Sequence, residues 1–481
     1  MAIKHLKIAL ISLQQDAEKV PPLGLVYLAT YLREKAGIEQ ENIKIIDRTF
    51  TNVNESIKQF SPDIIGFTSM TIDYGKVIKF AKTLKKDYDV PYLLGGVHVS
   101  SLPESFNPVF DLGVIGEGEE TIKELVLLYA EKRKFLMEDL KTIKGLIFQM
   151  DNNKLYATPA RDLIENVDDI PIPDFSFLNK EYFHKMEILS ISNVGKRAHL
   201  ISSRGCPYKC LFCSTTHFWK KIRFHSAEYT ARMVREVIDK FGVVSVGFLD
   251  DLFPVSYERL NRMKMVFNKY GILENIKSFD CTQRTNLMND KMCEAMNELK
   301  ITALNFCFES GSETILKEIK CNTTSVEKNK NAILLCKKHG IGAYGSLMYG
   351  VPNETIEDME KTNEFIDFAI ENGAKYIWSF VATPFPATPF WDIALQRGKV
   401  SNCMDWDLLS HHNIENPLLL DEGIDKKEFK KVYLEGMKKL RRIKIKLIKD
   451  FVFKNPIATM NLLVKRPVYY FKRVFKKVYE Q

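Results

Sequence analysis

Cysteine is missing from the first 205 residues of this 481-residue chain, and nine occur after that point. Their number is odd and only three lie close together, which argues against a disulfide framework and leaves thiolates free to hold metal in a reducing compartment. Long apolar runs are also missing: none approaches the roughly 18–20 residues that span a bilayer. No opening segment joins a basic start to an apolar core and a small-residue cleavage site, so a secretory leader is not expected. A cytoplasmic address follows. Fixed short repeats and low-complexity tracts are absent too. What is present is 45% hydrophobic and 27% charged residues, enough apolar material for sizeable cores. The length points to roughly two to four domains. The net charge of +8 is uneven: from Lys426 onward 18 Lys and Arg face 4 Asp and Glu, so residues 1–425 carry −6 and the end of the chain alone is basic.

Short apolar runs at Ile8–Leu13, Ile43–Ile46, Ile64–Phe67, Tyr92–Leu94 and Val114–Ile115 read as buried strands. Helix-like stretches begin near Leu23, Asn54, Tyr74, Ser101 and Glu119. This alternation predicts an α/β, doubly wound parallel sheet over residues 1–149, with its ligand crevice at the carboxyl ends of the strands. Loops there are rich in small residues: Thr68-Ser69-Met70-Thr71, Gly95-Gly96-Val97-His98 and Gly116-Glu117-Gly118-Glu119. A Pro- and Asp-bearing stretch predicts an extended linker over 150–195. A second alternating series has strands at His199–Ser202, Ser245–Leu249, Lys277–Cys281, Ala303–Phe308, Gly342–Met348 and Lys375–Val381. These predict a partial (β/α)6 TIM-like barrel over 196–395, followed by a helical basic extension over 396–481.

The stretch Arg204-Gly205-Cys206-Pro207-Tyr208-Lys209-Cys210-Leu211-Phe212-Cys213 spaces three cysteines as C-x3-C-x2-C, directly after the first strand of the second series. Three thiolates on one short loop can hold three corners of a cubane cluster. The fourth iron is then free to chelate a substrate such as S-adenosylmethionine (SAM). Zinc on the three cysteines plus His217 is the competing reading. Cys281, Cys293, Cys307, Cys321, Cys336 and Cys403 are too scattered for a second cluster, and Cys281 and Cys307 read as small core residues.

With these motifs the chain resembles the radical SAM enzymes. "SRGCPYKCLFCS", preceded by "PPLGLVYLATYL" and "GEGEET", is similar to their cobalamin-binding branch, which carries a Rossmann-like domain before the barrel. "FLDDLF", "FESGSETIL" and "YGVPNET" resemble the branch's motifs after successive strands. The resemblance implies a [4Fe–4S] cluster on Cys206, Cys210 and Cys213 that cleaves SAM to a 5′-deoxyadenosyl radical. Asp250 and Asp251 would then receive the SAM ammonium, Arg284 the carboxylate and Glu309 the ribose hydroxyls. Gly350 would let the backbone approach the adenine, and Phe212 would pack on its face. It also implies cobalamin in the N-terminal crevice, seated by Gly24, Thr68, Ser69, Thr71, Gly95, Gly96, His98, Gly116 and Gly118. The D-x-H-x-x-G motif of many cobalamin proteins is missing; the first strand runs into Gln14-Gln15-Asp16. Pro386-Ala387-Thr388 also departs from relatives, which often have glycine at the middle position.

The resemblance implies methylation of an unactivated carbon, with cyclisation or rearrangement as the alternative and a non-catalytic cobalamin sensor as the rival class. A tRNA methylthiotransferase would carry a second cluster on N-terminal cysteines, which this chain lacks. Expected partners are an external one-electron donor and a small-molecule or lipid-like substrate; nucleic acid is not expected. In the basic end, Met437, Leu440, Ile443 and Leu447, then Val468, Phe471, Phe475 and Val478, recur at helical spacing among Lys and Arg. That pattern suits a helix packed on the barrel, peripheral contact with the inner membrane face or, as the least favoured reading, RNA.

Overall fold

Burial on both faces explains why the first strands read as unbroken apolar runs. In the computed structural model, which describes residues 3–14, 20–183 and 195–454, β1 (Ile8–Ser12) is buried at every position. It lies between β2 (Ile43–Asp47) and β3 (Ile64–Thr68), followed by β4 (Tyr92–Gly95) and β5 (Leu112–Val114), all parallel. The sheet does not stop at the boundary expected at residue 149. An antiparallel hairpin, β6 (Leu146–Gln149) and β7 (Leu155–Ala157), adds two edge strands and gives the order β2-β1-β3-β4-β5-β6-β7. Its outer strand carries no apolar run and faces water, so periodicity alone missed it. The helix expected to begin near Ser101 instead ends there, spanning Val97–Ser101.

Barrel strands β8 (Arg197–Leu200), β11 (Ser245–Phe248), β12 (Ser278–Gln283), β13 (Ile301–Glu309), β14 (Gly342–Tyr349) and β15 (Tyr376–Val381) form a six-stranded parallel sheet in that sequence order. Two short strands, β9 (Ser203–Arg204) and β10 (Arg223–Phe224), pair antiparallel and bracket the cysteine loop. The barrel helices have local start signals: Ser226, Ser256, Asn289 and Ser325 each accept a backbone N–H of the first turn, and Thr355 with Asp358 forms a capping box.

The stretch expected as an extended linker is anchored near its middle to both domains. Asp174 pairs with Arg33 at 2.5 Å, and Asp168 accepts from His225 at 3.1 Å and from the Ser226 N–H at 3.0 Å. The two domains share packing. Leu23 and Val26 of the N-terminal domain sit in one core with Ala198 and Leu200 of the barrel. Trp391, Trp406, Leu409 and Leu418 join the core of the N-terminal sheet.

Helix Lys426–Lys454 buries Phe429, Val432, Leu440 and Ile443 against the barrel. Leu440 and Ile443, with Met437 packed beside them, are therefore turned inward onto the barrel, as the packed-helix reading expects for these three; the Leu447 side chain lies outside the described residues. The second stripe, Val468 to Val478, lies outside the described residues, as does Gln15-Asp16. Among the described residues no helix is long and apolar enough to cross a membrane.

Candidate active site

Gly205 determines how the cysteine loop leaves the barrel. Its φ is +94°, and a Cβ there would stand 2.7 Å from the Lys221 carbonyl oxygen and 3.0 Å from Trp219 Cβ. The loop therefore turns sharply between β9 and the helix Thr215–Trp219, carrying Cys206, Cys210 and Cys213 onto the carboxyl-end rim. Cys210 is buried and the other two are half-buried. Burial pushes the Cys206 thiol up to about 11, and Cys213 is raised for the same reason; each feels the charge of another cysteine of the three. Among the described residues no three His, Cys, Asp or Glu side chains close as a preformed metal cage. The donor set is nonetheless three soft thiols within electrostatic reach of one another on one loop, which suits an iron–sulfur cluster. His217, the ligand zinc would need, is exposed on the short helix that follows.

The loop is stitched to two other strand ends. Arg284, just past β12, donates from Nη1 to Cys210 Sγ at 3.2 Å and from Nη2 to Thr323 Oγ1 at 2.6 Å, and stacks 3.7 Å from the Tyr208 ring centroid. Leu211 N–H bonds the Ile319 carbonyl at 2.9 Å. Lys320, absent from the sequence-based set, completes the rim from below: it is 3% exposed, its Nζ lies 3.4 Å from Glu309 Oε1 and 5.1 Å from the Phe212 ring centroid. Its signal was a lysine directly after Leu316 and Ile319, the buried face of the helix Glu313–Ile319. Glu309 ends β13 in the left-handed region at φ +66°, a strained position for a non-glycine residue.

The two acidic residues after β11 diverge. Asp250 is 3% exposed and accepts from Ser202 N–H at 2.6 Å, Ser202 Oγ at 2.6 Å and Ser203 Oγ at 2.7 Å. Burial still pushes it up to about 6. It holds the root of the cysteine loop, whereas Asp251 stays exposed beside Thr215 Oγ1 at 3.2 Å. Gly350 has φ +72°, and a Cβ there would meet Phe429 at 3.1 Å, so packing on the C-terminal helix already accounts for the glycine. Ala387, where relatives often have glycine, takes φ +61°.

Beside Gly350, Glu354 accepts its N–H at 2.6 Å and that of Val351 at 3.3 Å, while its other oxygen has no partner. Burial raises this carboxyl to about 8, against the lowering effect of those two N–H groups. The folded chain thus keeps a proton that the unfolded chain loses above its ordinary pKa. Stability should fall as pH rises from about 5 to 8, with a slope of up to about 1.4 kcal/mol per unit from this group. Glu354→Gln should flatten that slope, measured by urea unfolding across the same range.

In the N-terminal crevice, Gly95, Gly96, Thr68, Ser69 and Thr71 come together. A Cβ on Gly96 (φ +103°) would stand 2.6 Å from the Ser69 carbonyl oxygen, so the two loops touch backbone to backbone. Met70 and Val97 beside them leave apolar side chains 39% and 37% exposed, and Gly116 faces open space: a small-residue ledge with uncovered apolar surface, as a flat macrocycle needs. Gly118 instead faces Leu28, and Gly24 lies exposed on the first helix. His98 departs from expectation. It is fully buried, with Nδ1 3.2 Å from Thr71 Oγ1 and Nε2 2.9 Å from Ser105 Oγ, beneath Tyr74 and Trp406. Burial lowers it to about 3, so it is a neutral core residue with both nitrogens engaged. Cys281 is in the core, but Cys307 turns to the opposite side of the sheet, near Cys210 and Cys213.

Glu117 and Glu119 of the "GEGEE" loop turn away from this ledge towards the barrel. Glu117 takes Arg204 Nη1 at 2.5 Å and Arg223 Nη1 at 2.9 Å, Glu119 takes Arg204 Nη2, and all four side chains are buried. Arg204 also lies 5.4 Å from the Tyr27 ring centroid and 5.5 Å from that of Trp219. Two residues before Cys206, the cysteine loop is thereby bolted to the N-terminal domain.

Comparison with known proteins places the chain. A Radical SAM superfamily model matches residues 200–366, and a B12 binding domain model matches residues 10–126. An uncharacterized methyltransferase of Pyrococcus horikoshii is 35% identical over 398 residues, covering 80% of this chain and 81% of that protein. The anaerobic magnesium-protoporphyrin IX monomethyl ester cyclase of Rubrivivax gelatinosus is 28% identical over 438 residues, covering 85% and 71%. In fold, the chain matches the radical SAM methyltransferase TsrM of Kitasatospora setae, solved with cobalamin and a [4Fe–4S] cluster, at a TM-score of 0.64 and 16% identity over 82% of this chain and 75% of that one. The chain belongs to the cobalamin-binding branch of the radical SAM superfamily. It is an enzyme whose cofactors are a [4Fe–4S] cluster, SAM and cobalamin.

Proposed function

We propose that this enzyme methylates an unactivated carbon of a small molecule by radical chemistry, with Cys206, Cys210 and Cys213 as the cluster ligands. When bound, the cluster supplies one electron for cleavage of SAM, and cobalamin supplies the methyl group. The observation that carries the reading is the clamp of Glu117 and Glu119 on Arg204, which ties the cobalamin-domain loop to the cysteine loop. Chemistry that draws on two cofactor sites at one substrate carbon needs those sites held at a fixed separation, and a buried charge network joins the two loops.

In this reading the chain's own groups bind and orient. Asp251 accepts the SAM ammonium, while Asp250 holds Ser202 and Ser203 in place. Arg284 and Lys320 offer cations to the SAM carboxylate, and Glu309 accepts from the ribose. Phe212 covers the adenine and Gly350 keeps the neighbouring backbone turn. Gly95, Gly96, Thr68, Ser69, Thr71 and Gly116 form the corrin ledge, with Gly24 and Gly118 at its margin. His98 braces the ledge from within rather than touching the corrin. An external one-electron donor completes the cycle.

The likeness to the cyclase makes cyclisation or rearrangement the competing outcome. Anaerobically purified protein should be brown, bind about four irons and form 5′-deoxyadenosine from SAM with dithionite; labelled SAM should pass a methyl group to product. A colourless, iron-free protein sinks the proposal, and a product without the labelled methyl turns it to cyclisation.

A further inference from the structure

The inner face of the barrel carries a polar constellation that the cofactor site does not use. Along each strand, Leu200, Phe248, Phe279, Leu304 and Ile377 point outward into the core beneath the helices. The alternate residues Arg197, His199, Asp280, Asn305, Tyr344 and Trp378 therefore point inward. His199 and Asp280 both pair in register with Gly247, so they face each other across a position with no side chain. That gap is occupied: Arg197 Nη2 would lie 2.2 Å from a Cβ on Gly247, and it reaches through to Asp280 Oδ1 at 2.5 Å. Asn305 pairs with Tyr344 one pleat higher, and Cys307, one pleat higher again, is within electrostatic reach of Cys210 and Cys213. At about 3.3 Å per residue, the polar floor steps from the Asp280 level, roughly 13 Å below Cys307, up to Asn305, roughly 7 Å below it.

Three atoms on this floor are buried without a hydrogen-bond partner: Asp280 Oδ2, Asn305 Oδ1 and His199 Nδ1. His199 and Asp280 are only 7% and 6% exposed. Buried polar groups are rarely left unpaired without a reason. Their polarity can be assigned. Arg197 Nε donates to His199 Nε2 at 3.3 Å, so the neutral imidazole carries its proton on Nδ1. The floor thus offers two acceptors and one donor. Arg197 already pairs with Asp280, so that carboxylate is not a bare charge, while the rings of Tyr344 and Trp378, with centroids 6.4 Å apart, wall one side.

We infer that the barrel interior binds the substrate through an uncharged primary carboxamide, on a flat body lying along Tyr344 and Trp378. Its N–H groups donate to Asp280 Oδ2 and Asn305 Oδ1, and its carbonyl accepts from His199 Nδ1. An anionic head would set its oxygens against two acceptors, and an ammonium would find its carboxylate already paired. This inference rests on the proposed function for the identity of the site.

The test uses anaerobic holoenzyme and three probes of one shape, 2-naphthamide, 2-naphthoate and 2-naphthylmethylamine, with affinities from saturation-transfer NMR. The amide should bind at least about ten-fold tighter than either charged probe, equivalent to ~1.4 kcal/mol. Asn305→Leu should reduce that preference to less than about threefold. Should that variant fail to fold, Asn305→Asp keeps the shape, adds a charge and should shift preference to the amine. No binding by wild type, equal affinity for amide and acid, or an unchanged preference in the Asn305 variants overturns the inference. 5′-Deoxyadenosine formation in the wild-type preparation reads the proposed function separately: its absence with probe selectivity intact removes that reading alone.

Discussion

Cys213→Ala is expected to abolish the brown chromophore and lower 5′-deoxyadenosine formation at least about a thousandfold, the equivalent of ~4 kcal/mol of barrier. A cubane held by three protein thiolates cannot lose one and keep its open iron corner, so the effect should be all-or-none rather than graded. Cys206→Ala and Cys210→Ala should behave alike, because in the proposed assignment each supplies one corner. The contrast that gives the result meaning is His217→Ala. A zinc site would need that imidazole, yet it is exposed on the short helix Thr215–Trp219, so its removal should leave iron content untouched. Iron and zinc analysis of the purified variants checks both outcomes. Iron retained in Cys213→Ala, or lost in His217→Ala, would remove the ligand assignment.

The place of the cysteine loop was legible because its signal is local: three thiols at fixed spacing within eight residues, directly after a buried strand, put the loop on the strand-end rim. The sheets were legible for a related reason, since strands buried on both faces leave apolar runs. What the sequence concealed was where polar side chains finish. Asp250 and Asp251 are adjacent and look interchangeable, but one points down to Ser202 and Ser203 and the other out to solvent. His98 sits on a glycine-rich loop that suggests a ligand, yet Tyr74 and Trp406 enclose it, the latter more than 300 residues away in the chain. Glu117 and Glu119 flank Gly118 in an apparent ligand loop, but their partners Arg204 and Arg223 come from the other domain. Lys320 was hidden because its role depends on Glu309 turning at φ +66° to meet it. Long-range pairing of this kind leaves no period or spacing in a single sequence.

Arg204→Leu should be the most damaging change outside the cysteines, destabilising the protein by about 3–5 kcal/mol, as expected when one partner of a buried ion network is removed. The substitution leaves Glu119 buried without Arg204 and Glu117 with Arg223 alone. Burial by itself would raise Glu117, but Arg223 and Arg204 hold it below the usual carboxylate range. A depressed carboxyl stabilises the fold above its unfolded pKa, and that contribution disappears as pH falls through its folded value. Wild type should therefore lose stability on acidification, and Arg204→Leu should lose less, having already forfeited much of it. Arg204→Lys should rescue only part, because an ammonium cannot reach two carboxylates as a planar fork does. Arg204→Leu with Glu119→Gln should recover part of the loss by removing the stranded charge. Urea unfolding at neutral and acid pH gives the stabilities. Iron content of the folded fraction tells whether the clamp also positions the thiols, since a free loop should load less cluster even where the barrel stays folded. Equal stability of Arg204→Leu and wild type would show that the network contributes nothing to holding the two domains together.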